Sequence, residues 1–196
     1  MDIEKITNFI FEINQLKHRK QNGWYLAGVT NPPTIAEHSF RAAQIGYILA
    51  VMENNANPEK VAAMLIIHDN GEGRIGDQNK ISARYFEKKD AEQMAFKEQL
   101  EGLGETIEKK WKEYFDEFET RKSPEGVIAK DADWLETAFQ AKEYLDLGHK
   151  SAIDWITNVE KALETESAKK IISKMKETEF TDWWKGLKKM TYTKLS

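Results

Sequence analysis

Apolar residues recur at three- and four-residue spacing along most of this chain, and no stretch alternates apolar with polar long enough to read as a strand. Ile3, Ile6, Phe9, Ile10, Ile13 and Leu16 mark a first amphipathic helix. From Arg19 to Pro33 the pattern lapses. Asn22, Gly23, Gly28, Asn31 and the adjacent Pro32 and Pro33 make this a long ordered loop, a length that in compact domains often carries function. Thr34 with Glu37 three residues on forms a capping-box pattern for a second helix through Phe40, Ala43, Ile45, Tyr47, Ile48 and Val51. Asn57-Pro58 is an N-cap and first-position signal for a third helix, which runs through the apolar stretch Val61 to Ile67 and ends at His68-Asp69. Gly71, Gly73 and Gly76 break it there.

The segments Glu87 to Glu101 and Glu105 to Arg121 read as exposed amphipathic helices. Ser123-Pro124-Glu125 opens a further helix carrying Asp131, Asp133, Leu135, Phe139 and Leu145. Two more follow, Ser151 to Leu163 and Ser167 to Lys189, with Trp183-Trp184 expected to pack the last one onto the core or a partner. The expected fold is all-α. A length of 196 residues supports one core, so a single domain over 1–196 is the default.

Composition narrows the chemistry. The absence of cysteine removes disulfides, thiolate metal sites and a cysteine nucleophile, and suits a cytoplasmic protein. A net charge of −4 argues against a nucleic-acid polymer as partner, since that needs a basic face. No apolar run approaches the roughly 20 residues of a membrane span, and the start lacks a secretory pattern.

The candidate chemistry gathers where the third helix ends. An imidazole and a carboxylate pushed against an apolar run are costly to desolvate unless something binds them, and a divalent cation suits both. His68 and Asp69 are followed by Glu72 and Asp77, a dense set of ligand and acid/base groups. As neighbours on a regular helix His68 and Asp69 would point about 100° apart, so they converge on one ion only at a helix end. His38, in the first turn of its helix, can project toward them. A further carboxylate comes from Lys130-Asp131-Ala132-Asp133, and periodicity leaves Asp131 and Asp133 as equal choices.

In that order, His38, then His68-Asp69, then a distant aspartate, the chain resembles the HD superfamily of metal-dependent phosphohydrolases. The finer pattern is similar to its 5′-deoxynucleotidase branch: Leu16-Lys17 with Gly23-Trp24, Ala36 to Arg41, His68-Asp69-x-x-Glu72-x-x-x-Gly76-Asp77, and Lys130-x-x-Asp133. The matching core spans residues 10 to 150, with C-terminal helices over 151–196. The resemblance implies a compact helical bundle of roughly seven to nine helices. It implies a divalent ion (Co, Mn, Mg, Zn or Ni) held by His38, His68, Asp69 and Asp133, with Asp133 favoured over Asp131. It gives Glu72 the proton, makes Asp77 a catalytic or substrate-contacting carboxylate, and makes Trp24 a sugar or base wall. The activity implied is hydrolysis of deoxyribonucleoside 5′-monophosphates by a homodimer. The family places an arginine shortly before the loop tryptophan; Gln21 stands there instead, with Arg19 and Lys20 as the neighbouring basic groups for phosphate.

Plainer readings stand beside these. Glu72 and Asp77 suit loop carboxylates, and Trp24 suits a lid on the core. Arg19, Lys20, Arg41, Arg74 and Lys80 taken singly suit solvated charges, and His18 and His149 are expected at the surface. The competing functions are an HD phosphohydrolase acting on another nucleotide or small phosphate ester, and a non-catalytic metal- or nucleotide-binding module.

Overall fold

A computed structural model describes residues 1–85 and 88–187 of the protein. Its centre is made of three helices: α2 (Ile35–Glu53), α3 (Pro58–Ile67) and α7 (Pro124–Asp146). Small residues line their contacts. Ala42, Ala43, Gly46 and Ala50 of α2 face Val61, Met64 and Leu65 of α3, while α7 contributes Ala129, Ala132, Ala138 and Ala141. A Cβ at Gly46 would run into the Leu65 side chain, so this crossing needs glycine. The large apolar residues of α2, namely Phe40, Tyr47, Ile48 and Val51, point outward and are exposed.

The outer elements form two groups. α8 (Ile153–Ala162) and α9 (Glu166–Lys176) cover the far side of α7, adding Ile156, Val159, Leu163, Ala168, Ile172 and Met175 to the main core. α1 (Ile3–Glu12), α5 (Lys88–Leu100) and α6 (Glu105–Thr120) enclose a smaller cluster of Ile67, Phe96, Leu100, Leu103 and Phe115. α4 (Glu72–Ile75) and α10 (Asp182–Lys185) are single turns. Among the described residues there is no strand, only an isolated antiparallel bridge between Lys20 and Thr34.

That bridge closes the long loop. The Ile35 amide donates to the Arg19 carbonyl (2.9 Å) and the Gln21 amide to the Pro33 carbonyl (3.0 Å), so residues 19–35 leave and return at one point beside the start of α2. Inside it, Asn22–Ala27 wind into a 3-10 helix that the residue pattern does not announce.

Helix starts fall where the sequence puts them. Thr34 and Glu37 complete the capping box, Asn57 caps α3, and Ser123 caps α7. Helix ends differ more. α1 stops at Glu12 and tightens into a 3-10 turn, Ile13–Lys17, instead of running on to Leu16. Gly71 and Gly73 do not break the chain, which re-enters a helix as α4. Gly71 is needed for another reason: a Cβ there would lie 2.7 Å from the Glu92 carbonyl oxygen of α5. The stop is Gly76, at φ 76°. The expected helix Ser167 to Lys189 is two, α9 and α10. Its interruption has a cause, because Asp146 accepts the Phe180 amide (3.3 Å) and Asp182 the Glu179 amide (3.1 Å), which pulls both out of the helical ladder. Lys188 and Lys189 lie outside the described residues, as does Glu87. Trp183 and Trp184 are exposed and do not pack on the core.

Candidate metal centre

His38 sits one turn into α2, where the Thr34–Glu37 capping box fixes the entry of the helix. Its ring is oriented from behind: Nδ1 donates to Glu136 Oε2 of α7 at 2.5 Å. Arg41 holds the other oxygen of that carboxylate, with Nη2 2.7 Å from Oε1, and itself reaches Glu143 and Gln140. Nε2 of His38 is thereby aimed forward, 3.2 Å from Asp133 Oδ1 and 3.7 Å from Asp69 Oδ2.

His68 caps the C-terminal end of α3. Its Nδ1 donates to the Leu65 carbonyl (2.7 Å), a main-chain acceptor that fixes which nitrogen carries the proton. Nε2 is buried without a hydrogen bond, although Asp69 Oδ2 lies 3.2 Å and Asp133 Oδ1 3.8 Å away. Because α3 has ended, His68 and Asp69 do converge, as the argument from helical spacing requires.

Asp133 projects from α7 into the same space, its Oδ2 accepting from Lys130 Nζ at 2.9 Å. Asp131 is turned away. Its carboxylate accepts from the Glu164 amide (3.1 Å), the Thr165 amide (2.7 Å) and the Thr165 hydroxyl (2.7 Å), anchoring the start of α9. The choice left open by periodicity therefore falls to Asp133.

The electrostatics match the geometry. Burial would lower the pKa of His38 and His68, but Glu136 and Asp133 raise the first well above the ordinary histidine value and Asp69 raises the second. Burial would raise the Asp69 carboxyl, yet His68 and His38 bring it down to about 2. Asp133 lies well below the usual carboxylate range, with Lys130 and both imidazoles overcoming its burial. Two imidazole nitrogens facing two carboxylates from three helices is a donor set that suits a divalent cation of borderline hardness. The buried Nε2 of His68, which makes no hydrogen bond yet faces Asp69 and Asp133, fits such an ion.

A cavity of about 200 Å³ opens in front of the cluster. Glu72, buried in the first turn of α4, lines it and brings a carboxylate oxygen within 4.8 Å of ligand atoms of Asp69 and Glu92. Asp77 also lines it, with Oδ2 accepting the Asn22 amide (2.5 Å) and its carbonyl accepting Asn22 Nδ2 (2.5 Å). Lys130 is the lysine or arginine that lines the cavity among the described residues, and its Nζ lies 4.4 Å from the Phe118 ring centre.

The expected substrate contacts lie elsewhere. Arg19 folds back to donate Nε to the Gly73 carbonyl (3.1 Å), and Lys20 lines a different hollow between α2, α7 and Pro32-Pro33. Neither reaches the cavity. Trp24 is 2% exposed and does not line it either; its Nε1 donates to Gln21 Oε1 (3.0 Å), while its ring stacks on Trp155 and meets Tyr144 edge-on. Gln21 is the loop residue that does face the ion cluster. Glu92 and Glu119 also line the cavity and Glu136 stands behind His38, three residues that the motifs do not name. For Glu136 a signal existed, three residues after Asp133 and so on the same face of α7. His18 is exposed as expected, whereas His149 is half-buried, its Nδ1 3.1 Å from the Ala27 carbonyl oxygen.

Known proteins resemble this chain in sequence and in fold. The 5′-deoxynucleotidase HDDC2 of Homo sapiens is 29% identical over 148 residues, covering 74% of this chain and 71% of that protein. A 5′-deoxynucleotidase of Erwinia tasmaniensis is 27% identical over 168 residues, covering 80% of this chain and 83% of that protein. Among solved structures, a conserved hypothetical protein from Pyrococcus furiosus superposes with a TM-score of 0.75 at 29% identity, covering 88% of this chain and 99% of that one. The family model described as the HD domain matches residues 13–179, and on that match the chain belongs to the HD domain family.

Proposed function

We propose that the protein hydrolyses deoxyribonucleoside 5′-monophosphates to nucleoside and phosphate, dependent on a divalent ion held by His38, His68, Asp69 and Asp133. The observation that carries this reading is the buried Nε2 of His68, unpaired and directed at a pair of carboxylates beside a cavity large enough for a phosphate. The relatives named 5′-deoxynucleotidase support the substrate class. An ion bound there would polarise a phosphoryl oxygen and lower the pKa of water toward neutrality.

The chain supplies the rest. Glu72, buried next to Asp69, takes a proton from the attacking water or returns one to the leaving 5′-oxygen. Asp77, pinned by both hydrogen bonds from Asn22, orients the sugar end of the substrate. Lys130 brings positive charge to the phosphate. Gln21 adds an amide whose oxygen is already occupied by Trp24, which turns its nitrogen into the available donor. Arg19 and Lys20, which lie outside the cavity, have no part in this reading. The same proposal includes a homodimer formed through the exposed apolar face of α2, where Phe40, Ile48 and Val51 stand in one row, and a cytoplasmic location. Light scattering that returns the mass of one chain would remove the dimer.

The test is phosphate release from nucleoside mono-, di- and triphosphates with Mg²⁺, Mn²⁺, Co²⁺ and Zn²⁺ in turn. Release from deoxyribonucleoside monophosphates is expected, lost in His68→Ala/Asp69→Ala. Glu72→Gln should keep the ion and lose about 10²–10⁴-fold in rate. Turnover confined to another phosphate ester would move the substrate. Silence across the panel with ion bound would point to a binding module.

A further inference from the structure

Beside the ion cavity lies a second, larger hollow of about 540 Å³, set between α7, α8 and the segment 77–80. The two share a wall, since Asp77 and Thr137 line both. We infer that this hollow is the nucleobase site, with Trp155 as its stacking surface and Asp154 and Asn158 as the groups that read the base edge. The inference rests on the nucleotidase reading above for the position of the phosphate.

The lining has the chemistry of a flat heterocycle in reverse. Trp155, Trp134, Leu26 and Val159 offer apolar surface, while Asp154 and Asn158 stand four residues apart on one face of α8 and bring polar groups to the rim. A nucleobase presents apolar faces and a polar edge, so it uses both. A bare sugar phosphate would leave the indoles unused, and an alkyl phosphate would strand the carboxylate and the amide.

Trp155 is held for this task. Its ring stacks on Trp24 at a centroid distance of 5.3 Å and an interplanar angle of 29°, and Trp24 is itself buried against Tyr144. The loop tryptophan thus acts on the substrate through Trp155. It backs the indole that lines the hollow, and its own ring lines neither space. Gly23 keeps the approach open: a Cβ there would lie 3.9 Å from Trp155 Nε1 with nothing nearer, so a larger side chain fits and would cover part of the indole.

Asp154 also fixes a preference. A carboxylate only accepts hydrogen bonds, so it favours bases with an exocyclic amino group and disfavours thymine, whose N3–H is flanked by two carbonyl oxygens. We expect dAMP, dGMP and dCMP to exceed dTMP by about tenfold in kcat/KM, and Asp154→Ala to bring that ratio toward one.

The experiment compares kcat/KM for the four deoxyribonucleoside monophosphates and for 2-deoxyribose 5-phosphate, which lacks the base. It uses the ion-loaded full chain and its Gly23→Leu, Asp154→Ala and Asn158→Ala variants. A parallel calorimetric titration of the same ligands into ion-free protein reads binding without turnover. Loss of the base should cost about 10- to 100-fold. Each variant should lower the ratio of nucleotide to base-free kcat/KM, with the binding titrations following. Ratios unchanged in all three variants, or a base-free substrate as good as the nucleotides, would overturn the base site and leave the nucleotidase reading standing. Absent hydrolysis with nucleotide binding still weakened by the variants would overturn the nucleotidase reading and leave the base site.

Discussion

Asp131 and Asp133 lie two positions apart on one helix and do opposite work. The first is 1% exposed and satisfied by two amides and a hydroxyl at the start of α9; the second faces the imidazoles. Asp131→Ala should therefore destabilise the fold by about 2–4 kcal/mol, because it leaves buried donors unpaired, while ion affinity stays near wild type. Asp133→Ala should lose ion affinity by more than about 100-fold, since a ligand removed costs at least what an orienting partner does. Thermal melts and competition with a chromogenic chelator separate the two. Glu136 belongs to the same scale. It bonds Nδ1 of His38, the nitrogen turned away from Asp69 and Asp133, so Glu136→Gln, which keeps an acceptor and removes the charge, should lower ion affinity about tenfold. An unchanged affinity would mean that α2 alone sets the ring. That His38, His68, Asp69 and Asp133 come together was legible in the sequence, because the motif names residue types in a fixed order. Arg19, Lys20 and Trp24 were not, because the direction of a loop side chain depends on how the loop closes. Here the bridge at Lys20 and Thr34 decides it, and in extended backbone neighbours alternate, so Lys20 faces away from the cavity that Gln21 lines.

At the scale of elements, starts were legible, and ends were legible where α3 stops at His68 and α6 at Arg121 but not everywhere. A helix start is written locally, in a side chain that bonds an amide two or three residues on, and Thr34, Asn57 and Ser123 all do so. The break between α9 and α10 depends instead on a remote partner, Asp146, which captures the Phe180 amide. The capping box of α2 carries a measurable consequence. Thr34→Ala should cost about 1 kcal/mol. The Glu37 carboxylate accepts from the Thr34 amide and hydroxyl, and these bonds hold its pKa below 4.5 in the folded chain. A depressed folded value means that the folded state binds fewer protons. Its contribution is therefore complete above pH 4.5 and is lost as the pH falls through the folded value. Chemical denaturation between pH 6 and pH 3 should show wild type losing more stability than Glu37→Gln. Parallel curves would show that the box adds nothing. Since His38 lies one residue beyond Glu37, the same variants should also loosen the ion site slightly.

For the molecule as a whole, the site stands at the junction of three helices and gathers their charged groups. Asp69 from the end of α3 and Asp133 from α7 converge with His38 of α2, where protons on the two imidazoles and the Lys130 ammonium beside Asp133 compensate the carboxylates. A divalent cation binding the folded chain and not the unfolded one adds RT ln(1 + [L]/Kd) to stability, about 2.7 kcal/mol at a hundredfold excess over Kd. For a chain of this length that corresponds to a rise in Tm of about 5–10 °C. The effect should grow from pH 6 to pH 8, because the ion must displace the protons that Asp69, Asp133 and Glu136 hold on the rings, and fewer remain as the pH rises. Melting curves of chelator-stripped protein with each added ion check this, beside His68→Ala/Asp69→Ala. If that variant gains as much as wild type, the ion is binding elsewhere on an acidic surface, and the junction of α2, α3 and α7 is not the metal centre. If wild type alone gains, the ion is a structural clamp across the helices as well as a reagent. The three helices that bury the core would then also set the distance between His38, His68, Asp69 and Asp133.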